Sequence, residues 1–429
     1  MAERRRGGYF GFPLIYKIAI GLGVGIVVGI IAGPAIAPVK PLGDFFVTLL
    51  KMCIMPIVLF SLVVGAASIS PARGVRIGVK TIVFYLVTTF IAVLIGLAIA
   101  NLFKPGLGLA LAGEEVVREV AAPAIKDVLL GLIPKNPFAA LAEGKVLPTI
   151  VFAILVGTAL SYLKEMKVPR ISEAADTVLR VSDGLAEVMY KLVSWILEIA
   201  PYGVFALIAV VVGTQGAKVL GPLGVVTGVV YLGLIIHYFV VYGGALRIWG
   251  FNPARFWPRA RDASLTAFVT RSSSGTLPVT MTVAREKLGI DRGIYSFTLP
   301  LGATINMDGT CLYQAVCAMF IANAVGMPLA IGAQMLVMIT AVLASIGTAG
   351  VPGAGAIMLL LVLESVGLPV EAGTSVALAY GMILGIDAIL DMGRTSLNVT
   401  GDLAVTSIIA KTENMINLDF WRGGAKAKA

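Results

Sequence analysis

Long runs without a single charge constrain this chain more than any other feature. None lies between Lys17 and Lys40 or between Lys51 and Arg73, and the runs bounded by Lys80 and Lys104, by Lys145 and Lys164, and by Lys218 and Arg247 are equally apolar. A helix needs roughly 20 such residues to cross a hydrocarbon core, and these runs are of that order. With 58% of residues hydrophobic and only 13% charged, a soluble globule could not hide its apolar surface. Lipid is the solvent this composition requires.

The basic residues then indicate the threading. With a cytoplasmic amino terminus, the positive-inside rule puts Lys and Arg in alternate loops. Arg73, Arg76 and Lys80 follow the second run, Lys164, Lys167 and Arg170 the fourth, and Arg247, Arg255, Arg259 and Arg261 the sixth. The intervening loops are poorer in cations or offset by acids, as at Glu114, Glu115, Arg118 and Glu119. This predicts six crossings before about residue 250, in a multi-pass plasma-membrane protein with both termini cytoplasmic. The formal net charge of +9 thus reflects topology and not nucleic-acid binding. Arg4-Arg5-Arg6 and Ala35-Ile36-Ala37 bracket a run that has some likeness to a signal peptide, but the run is long and similar ones follow, so it reads as a retained first helix. Cys53, Cys311 and Cys317 sit in apolar segments without metal-ligand spacing and read as packing residues.

Beyond residue 250 two apolar stretches are interrupted. TAFVTRSSSGTLPVT (266–280) and TAVLASIGTAGVPGAG (340–355) both pass from apolar residues into Ser, Thr and Gly and then a Pro, Pro278 or Pro352. Each predicts a hairpin that enters the membrane and turns back. Small residues also serve close helix packing, but two matched runs, one carrying Arg271, favour a cavity lining. Irregular backbone at membrane depth is tolerated only where it is buried in protein or lines a watery cavity, and paired breaks point to a transporter's binding site.

The last apolar run carries GIDAILDMGRTSLNVTGD (385–402), in which Asp387, Asp391, Arg394 or Thr395, Asn398 and Asp402 recur every three or four residues along one helix face. Each central Asp or Arg costs roughly 2.5–3.5 kcal/mol to insert, about 10 kcal/mol for four, against about 3–5 kcal/mol returned by neighbouring Ile, Leu and Val. This face therefore turns to protein or to a hydrated cavity. An internal Asp–Arg pair is one explanation. Three acids to one base leave surplus negative charge, which favours cations, while a guanidinium fork suits a carboxylate ligand. Arg394 is accordingly the candidate for a substrate side-chain carboxylate and Asp391 for its amino group. A second polar island, NMDGT (306–310), offers Asn306 and Asp308 as oxygen ligands for a hard cation, with Gly309 placed to loosen the helix. His237 reads as a packed or hydrogen-bonded residue.

RSSSGT, NMDGT, SIGTAGVPGAG and DMGRTSLNVTGD, in this order and spacing, closely resemble the sodium-coupled glutamate/aspartate transporters, and most of all the archaeal aspartate transporters. The likeness runs from about Lys51 to about Lys411. It implies an all-α membrane protein with eight transmembrane helices, two re-entrant helical hairpins and inverted repeats, assembled as a homotrimer in the lipid bilayer and moving as an elevator. It assigns residues 1–75 to scaffold helices one and two, 76–105 to transport-domain helix three, 106–215 to scaffold helices four and five, 216–411 to the rest of the transport domain, and 412–429 to a cytoplasmic tail. The implied substrate contacts are Arg271, Ser272, Ser273, Thr310, Val351, Gly353, Ala354, Gly355, Asp391, Arg394, Thr395 and Asn398. One implied sodium site combines Asp402 with carbonyls of Gly302, Asn306 and Asn398. A second uses carbonyls of Thr304, Ser345, Ile346 and Thr348, and a third Tyr85, Thr88, Thr89, Asn306 and Asp308. Close relatives often have Ser at the position of Thr89. The animal branch has an acid at the position of Gln314 and an Arg at that of Met392, and lacks Arg271, so the resemblance implies coupling to sodium without potassium counter-transport.

These features predict a symporter of L-aspartate or, less favourably, glutamate, and not an enzyme. The same fold could instead carry C4-dicarboxylates or neutral amino acids, or conduct anions. An intramembrane aspartyl protease is disfavoured because Asp387 and Asp391 lie one turn apart on one helix, whereas a catalytic pair should come from facing helices. Phe420-Trp421-Arg422, followed by Lys426 and Lys428, reads either as a headgroup contact or as an unstructured end.

Overall fold

The computed structural model describes residues 14–67, 75–109, 111, 133–216, 220–346, 348 and 350–422. Among these the regular elements are all helical, with one isolated bridge between Ile290 and Ile416. Arg4-Arg5-Arg6, Arg73, residues 114–119, Lys426 and Lys428 lie outside the described residues.

Six long helices precede residue 250: α1 (Leu14–Ala32), α2 (Lys40–Ala67), α3 (Val75–Phe103), α4 (Val146–Lys164), α5 (Pro169–Gln215) and α6 (Leu220–Ile236). The last continues through a π-helical turn, His237–Tyr242, into Gly243–Ile248. They are followed by α7 (Pro253–Thr270), α8 (Ser273–Glu286), α9 (Arg292–Ile305), α10 (Asp308–Ala324), α11 (Ile331–Ser345), α12 (Ala354–Ser365) and α13 (Ser375–Thr412). Tyr16–Leu49, Arg76–Phe103, Leu220–Ile248 and Ser375–Thr412 are long and apolar enough to cross a membrane, as is the bent α5 taken as one span. The 50° bend in α5 falls between Val193 and Glu198. Pro201, inside the helix, cannot donate to the carbonyl four residues earlier, and this frees the turn to bend.

Two groups of helices pack within themselves. In the first, α1 and α2 lie along α5, and α4 lies along α2. Small residues set the α1–α5 seam: a Cβ on Gly25 would stand 2.8 Å from the Phe205 carbonyl oxygen, and one on Gly29 2.7 Å from that of Ala209. Four residues apart, they share the face on which the two backbones approach. In the second group α3 packs on α10, while α13 is surrounded by α6, α7, α9 and α10 and is buried through most of its length. At one point the groups are tied through the backbone of a single residue. Gly373, just before α13, accepts from Lys40 Nζ at 3.1 Å and donates its N–H to Asp44 Oδ1 at 3.1 Å.

Both predicted interruptions are present, but the residues responsible differ from expectation. Arg271, in the left-handed region at φ 55°, ends α7, and Ser272 caps α8 by accepting from the Gly275 N–H at 2.9 Å. Pro278 lies within α8 and breaks nothing. Its missing N–H costs one bond, to a carbonyl of the first turn. The second interruption separates α11 from α12 and does contain Pro352, with Gly353 at φ 80°. The arms of each pair pack on one another, and the two tips meet. Ser272 Oγ donates to the Gly350 carbonyl at 2.6 Å and the Ser274 N–H to the same oxygen at 3.1 Å.

The NMDGT break likewise falls at Asn306–Met307, ahead of Gly309, which sits inside α10. The chain after α13 packs back on the protein as far as Trp421, which is buried against Phe251 and Phe256, while Asn414, Asn417 and Asp419 along it are exposed. There Glu413 pairs with Arg76 and Lys80, and the hydrogen bond from Lys80 holds its carboxyl below the usual range.

Candidate functional site

The polar face of α13 is buried as its periodicity requires. Asp387, Asp391, Arg394, Thr395, Asn398 and Asp402 are all enclosed, with Arg394 only 1% exposed. Its guanidinium spans two acids of its own helix. Nη1 and Nη2 reach Asp387 Oδ1 and Oδ2 at 2.6 and 3.3 Å, and Nε reaches Asp391 Oδ1 at 3.0 Å. The group lies 4.3 Å from the Tyr313 ring centroid, and a Cβ on Gly355 would stand 3.0 Å from Nε, so a larger residue at the start of α12 would crowd the cation. The internal pair considered from sequence therefore exists. It still leaves two carboxylates on one guanidinium.

Asp391 also reads the tip of the second hairpin, since Oδ2 accepts the Gly353 N–H at 3.1 Å while Thr395 Oγ1 donates to Oδ1 at 3.2 Å. Asp387 and Arg271 line one cavity of about 40 Å³, together with Pro352, Gly353 and Tyr380 and, from the other helix group, Ile18, Phe46 and Val204. That volume suits water, not an amino acid. A larger guest needs more room than this cavity offers. Val351 at this tip is 37% exposed, Ala354 and Gly355 open α12, and Ser273 opens α8 in a buried position.

A second network lies deeper along the same face. Asn398 Oδ1 accepts the Gly309 N–H at 2.7 Å and its Nδ2 donates to Thr310 Oγ1 at 3.2 Å, which ties the start of α10 to α13. Gly309 serves this approach, since a Cβ there would stand 2.5 Å from the Arg394 carbonyl oxygen. Asn306 Nδ2 donates to Asp402 Oδ1 at 2.9 Å and toward the Asn398 carbonyl at 3.4 Å, while Asn306 Oδ1 is buried without a hydrogen-bond partner. Gly302 leaves no room for a Cβ against Asp402 and the Tyr85 hydroxyl. A carboxylate and an unspent amide oxygen, crowded by backbone, form an oxygen-rich set that suits a hard cation.

Asp308 is held by three side chains from two elements, α3 and the π-helical turn. Thr89 Oγ1 donates to Oδ1 at 2.6 Å, Tyr242 OH donates to Oδ2 at 2.6 Å, and His237 Nε2 lies 3.0 Å from Oδ2. His237 is thus hydrogen-bonded, as expected, but its partner and Tyr242 were not anticipated. Five residues apart, the two meet Asp308 through the π-helical turn, a spacing that an α-helical reading cannot bring to one face. Tyr85 and Thr88 are buried nearby, although their hydroxyls donate to the carbonyls of Thr298 and Tyr85. Of the remaining predicted set, the Thr304, Ser345 and Thr348 hydroxyls each return to a carbonyl of their own segment, so any cation there would have to be held by backbone carbonyls. No cluster of three or more His, Cys, Asp or Glu suited to a metal occurs among the described residues, so a cation here would draw on a single carboxylate, Asp402 or Asp308, together with carbonyl, amide and hydroxyl oxygens.

Comparison with known proteins matches this architecture. The profile of the sodium:dicarboxylate symporter family covers residues 14–412. A proton/sodium-glutamate symport protein of Geobacillus stearothermophilus is 37% identical over 417 residues, 94% of this chain and 95% of that protein. A proton/glutamate-aspartate symporter of Escherichia coli is 36% identical over 387 residues, covering 87% and 85% of the two chains. A C4-dicarboxylate transport protein of Deinococcus radiodurans is 33% identical over 389 residues, covering 89% and 84%. With its polar α13 face, paired helical hairpins and match over nearly its whole length, the chain belongs to the sodium:dicarboxylate symporter family.

Proposed function

We propose that this chain is a secondary active symporter that uses inward sodium flow to take up an acidic amino acid, L-aspartate in preference to glutamate. One observation carries the reading: a buried guanidinium shared by two carboxylates beneath the tip of the second hairpin. A substrate carboxylate would replace Asp387 on Arg394 in bidentate fashion, and Asp391, released from the Gly353 N–H, would take the amino group. The names of the glutamate and glutamate-aspartate relatives support an acidic amino acid.

Sodium is cargo in this scheme. Ions at the oxygen sets around Asp402 and Asp308 offset the surplus negative charge, and the Thr304–Thr348 set would assemble as the second tip closes. Ion and substrate then tighten one another reciprocally. The two helix groups would be scaffold (α1, α2, α4, α5) and carrier (α3 and α6–α13), with eight spans and two re-entrant hairpins in each subunit of a plasma-membrane homotrimer. The carrier would move as an elevator.

The test is uptake of labelled aspartate into proteoliposomes. An inward sodium gradient should drive accumulation that collapses when sodium is equal on both sides. Accumulation under a proton gradient without sodium would refute the coupling. The second reading, C4-dicarboxylate transport, is favoured by the Deinococcus relative. Succinate competing as well as aspartate would establish it, because Asp391 would then have no amine to bind.

A further inference from the structure

The chain beyond α13 returns to the base of the first hairpin and laces its two arms together. Asn414, at φ 56°, turns it back. The Asp291 N–H donates to the Met415 carbonyl at 3.0 Å and the Asn417 N–H to the Gly289 carbonyl at 2.8 Å, so residues 414–417 run beside the segment leaving α8. Trp421 then spans the gap. Its indole Nε1–H donates to the Leu288 carbonyl at 3.0 Å, just past the end of α8, while Arg255 and Arg259, near the start of α7, donate to the carbonyls of Trp421 and Phe420. The indole is 5% exposed, with the Phe251 ring 4.3 Å away and the Phe256 ring nearly parallel at 6.2 Å.

α7 begins and α8 ends at this base, and their shared tip, where Ser272 bonds the Gly350 carbonyl of the second hairpin, lies at the other end of both arms. Across the base the arms also share an Asp262–Lys287 pair, but both partners are nearly half exposed, a setting in which ion pairs hold little. Helices are stiff, so a change in arm spacing at the base is carried along α8 to Ser272 and Ser274, about 20 Å away.

We infer that Trp421 is a positioning residue for transport: the strap formed by residues 413–422 fixes the arm spacing of the first hairpin, and through it the tip that meets the second hairpin over the substrate. The inference rests on the symporter reading, but part of its test does not.

The experiment uses the full-length chain in nanodiscs, with Cys53→Ala, Cys311→Ala and Cys317→Ala removing the native thiols. Spin labels at Arg261→Cys on α7 and Arg285→Cys on α8 report arm spacing, and sodium-dependent aspartate binding reports the site. Trp421→Ala should lengthen or broaden the label distance distribution and weaken aspartate affinity by about fivefold to tenfold. Trp421→Phe, which keeps an aromatic ring but loses the N–H, and Arg259→Met, which loses the donor to Phe420, should each shift both readouts part of the way. Should Trp421→Ala fail to fold, these two variants decide. Unchanged label distances in the folded variants overturn the inference, and so does an affinity loss that tracks thermal stability alone while the distances stay fixed. If the parent binds no aspartate, the symporter reading has failed, and the distances still show whether the strap spaces the arms.

Discussion

At the scale of the residue, the site turns on the share of Arg394 that each acid holds. A guanidinium buried with two carboxylates is well matched to one and in surplus demand from the other, so a third carboxylate can enter by exchange and not by creating a new buried charge. Arg394→Cys would leave Asp387 and Asp391 uncompensated. It should lower stability by about 3–5 kcal/mol, and adding Asp387→Asn should recover part of that loss, as read by thermal unfolding in detergent. In both variants aspartate binding should disappear and small neutral amino acids should be admitted instead; unchanged aspartate affinity would remove Arg394 from the substrate site. The spacing of seven residues between Asp387 and Arg394, two helical turns, was legible in the sequence. Which partner the guanidinium takes was not, because spacing fixes a face and says nothing about competition on it.

At the scale of the element, one close approach and one open position make opposite predictions for the same change. Gly309→Ala would press a methyl to 2.5 Å from the Arg394 carbonyl oxygen, where neither helix backbone can yield without separating α10 from α13. It should cost about 1–3 kcal/mol as overpacking and weaken aspartate binding. Gly184→Ala, in α5 with open space at its Cβ, should instead raise stability by about 0.5–1 kcal/mol through helix propensity. Equal effects in thermal unfolding would contradict the α10–α13 seam. The breaks themselves were readable from clustered Ser, Thr and Gly. Their causes were less so: Pro278 is harmless because it spoils only a first-turn bond, whereas Arg271 ends α7 by adopting a left-handed conformation that its identity does not announce. The π-helical turn was also hidden, since its five-residue spacing lies off the α-helical pattern that makes the rest of the membrane helices recognisable.

At the scale of the whole molecule, the proposed carrier holds Gln314, Arg271 and Met392 where the resemblance to the animal branch marks departures linked to potassium coupling. Sodium-driven uptake should therefore continue at an unchanged rate when potassium is removed from inside the vesicles; uptake that stops would defeat this assignment. The packing of the two groups was partly legible as well, since the glycines spaced by four in α1 announce a close helix contact, although the partner helix could only be seen in three dimensions. The backbone of Gly373 gives that division a mechanical consequence. Lys40 and Asp44 grip its carbonyl and N–H from across the boundary, so any slide of one group past the other would first have to release two charge-assisted hydrogen bonds, one on each of the peptides that flank the residue. Because the grip is on main chain at φ 88°, where any residue but glycine is strained, Lys40 and Asp44 are the two side chains through which it can be weakened without disturbing the turn itself.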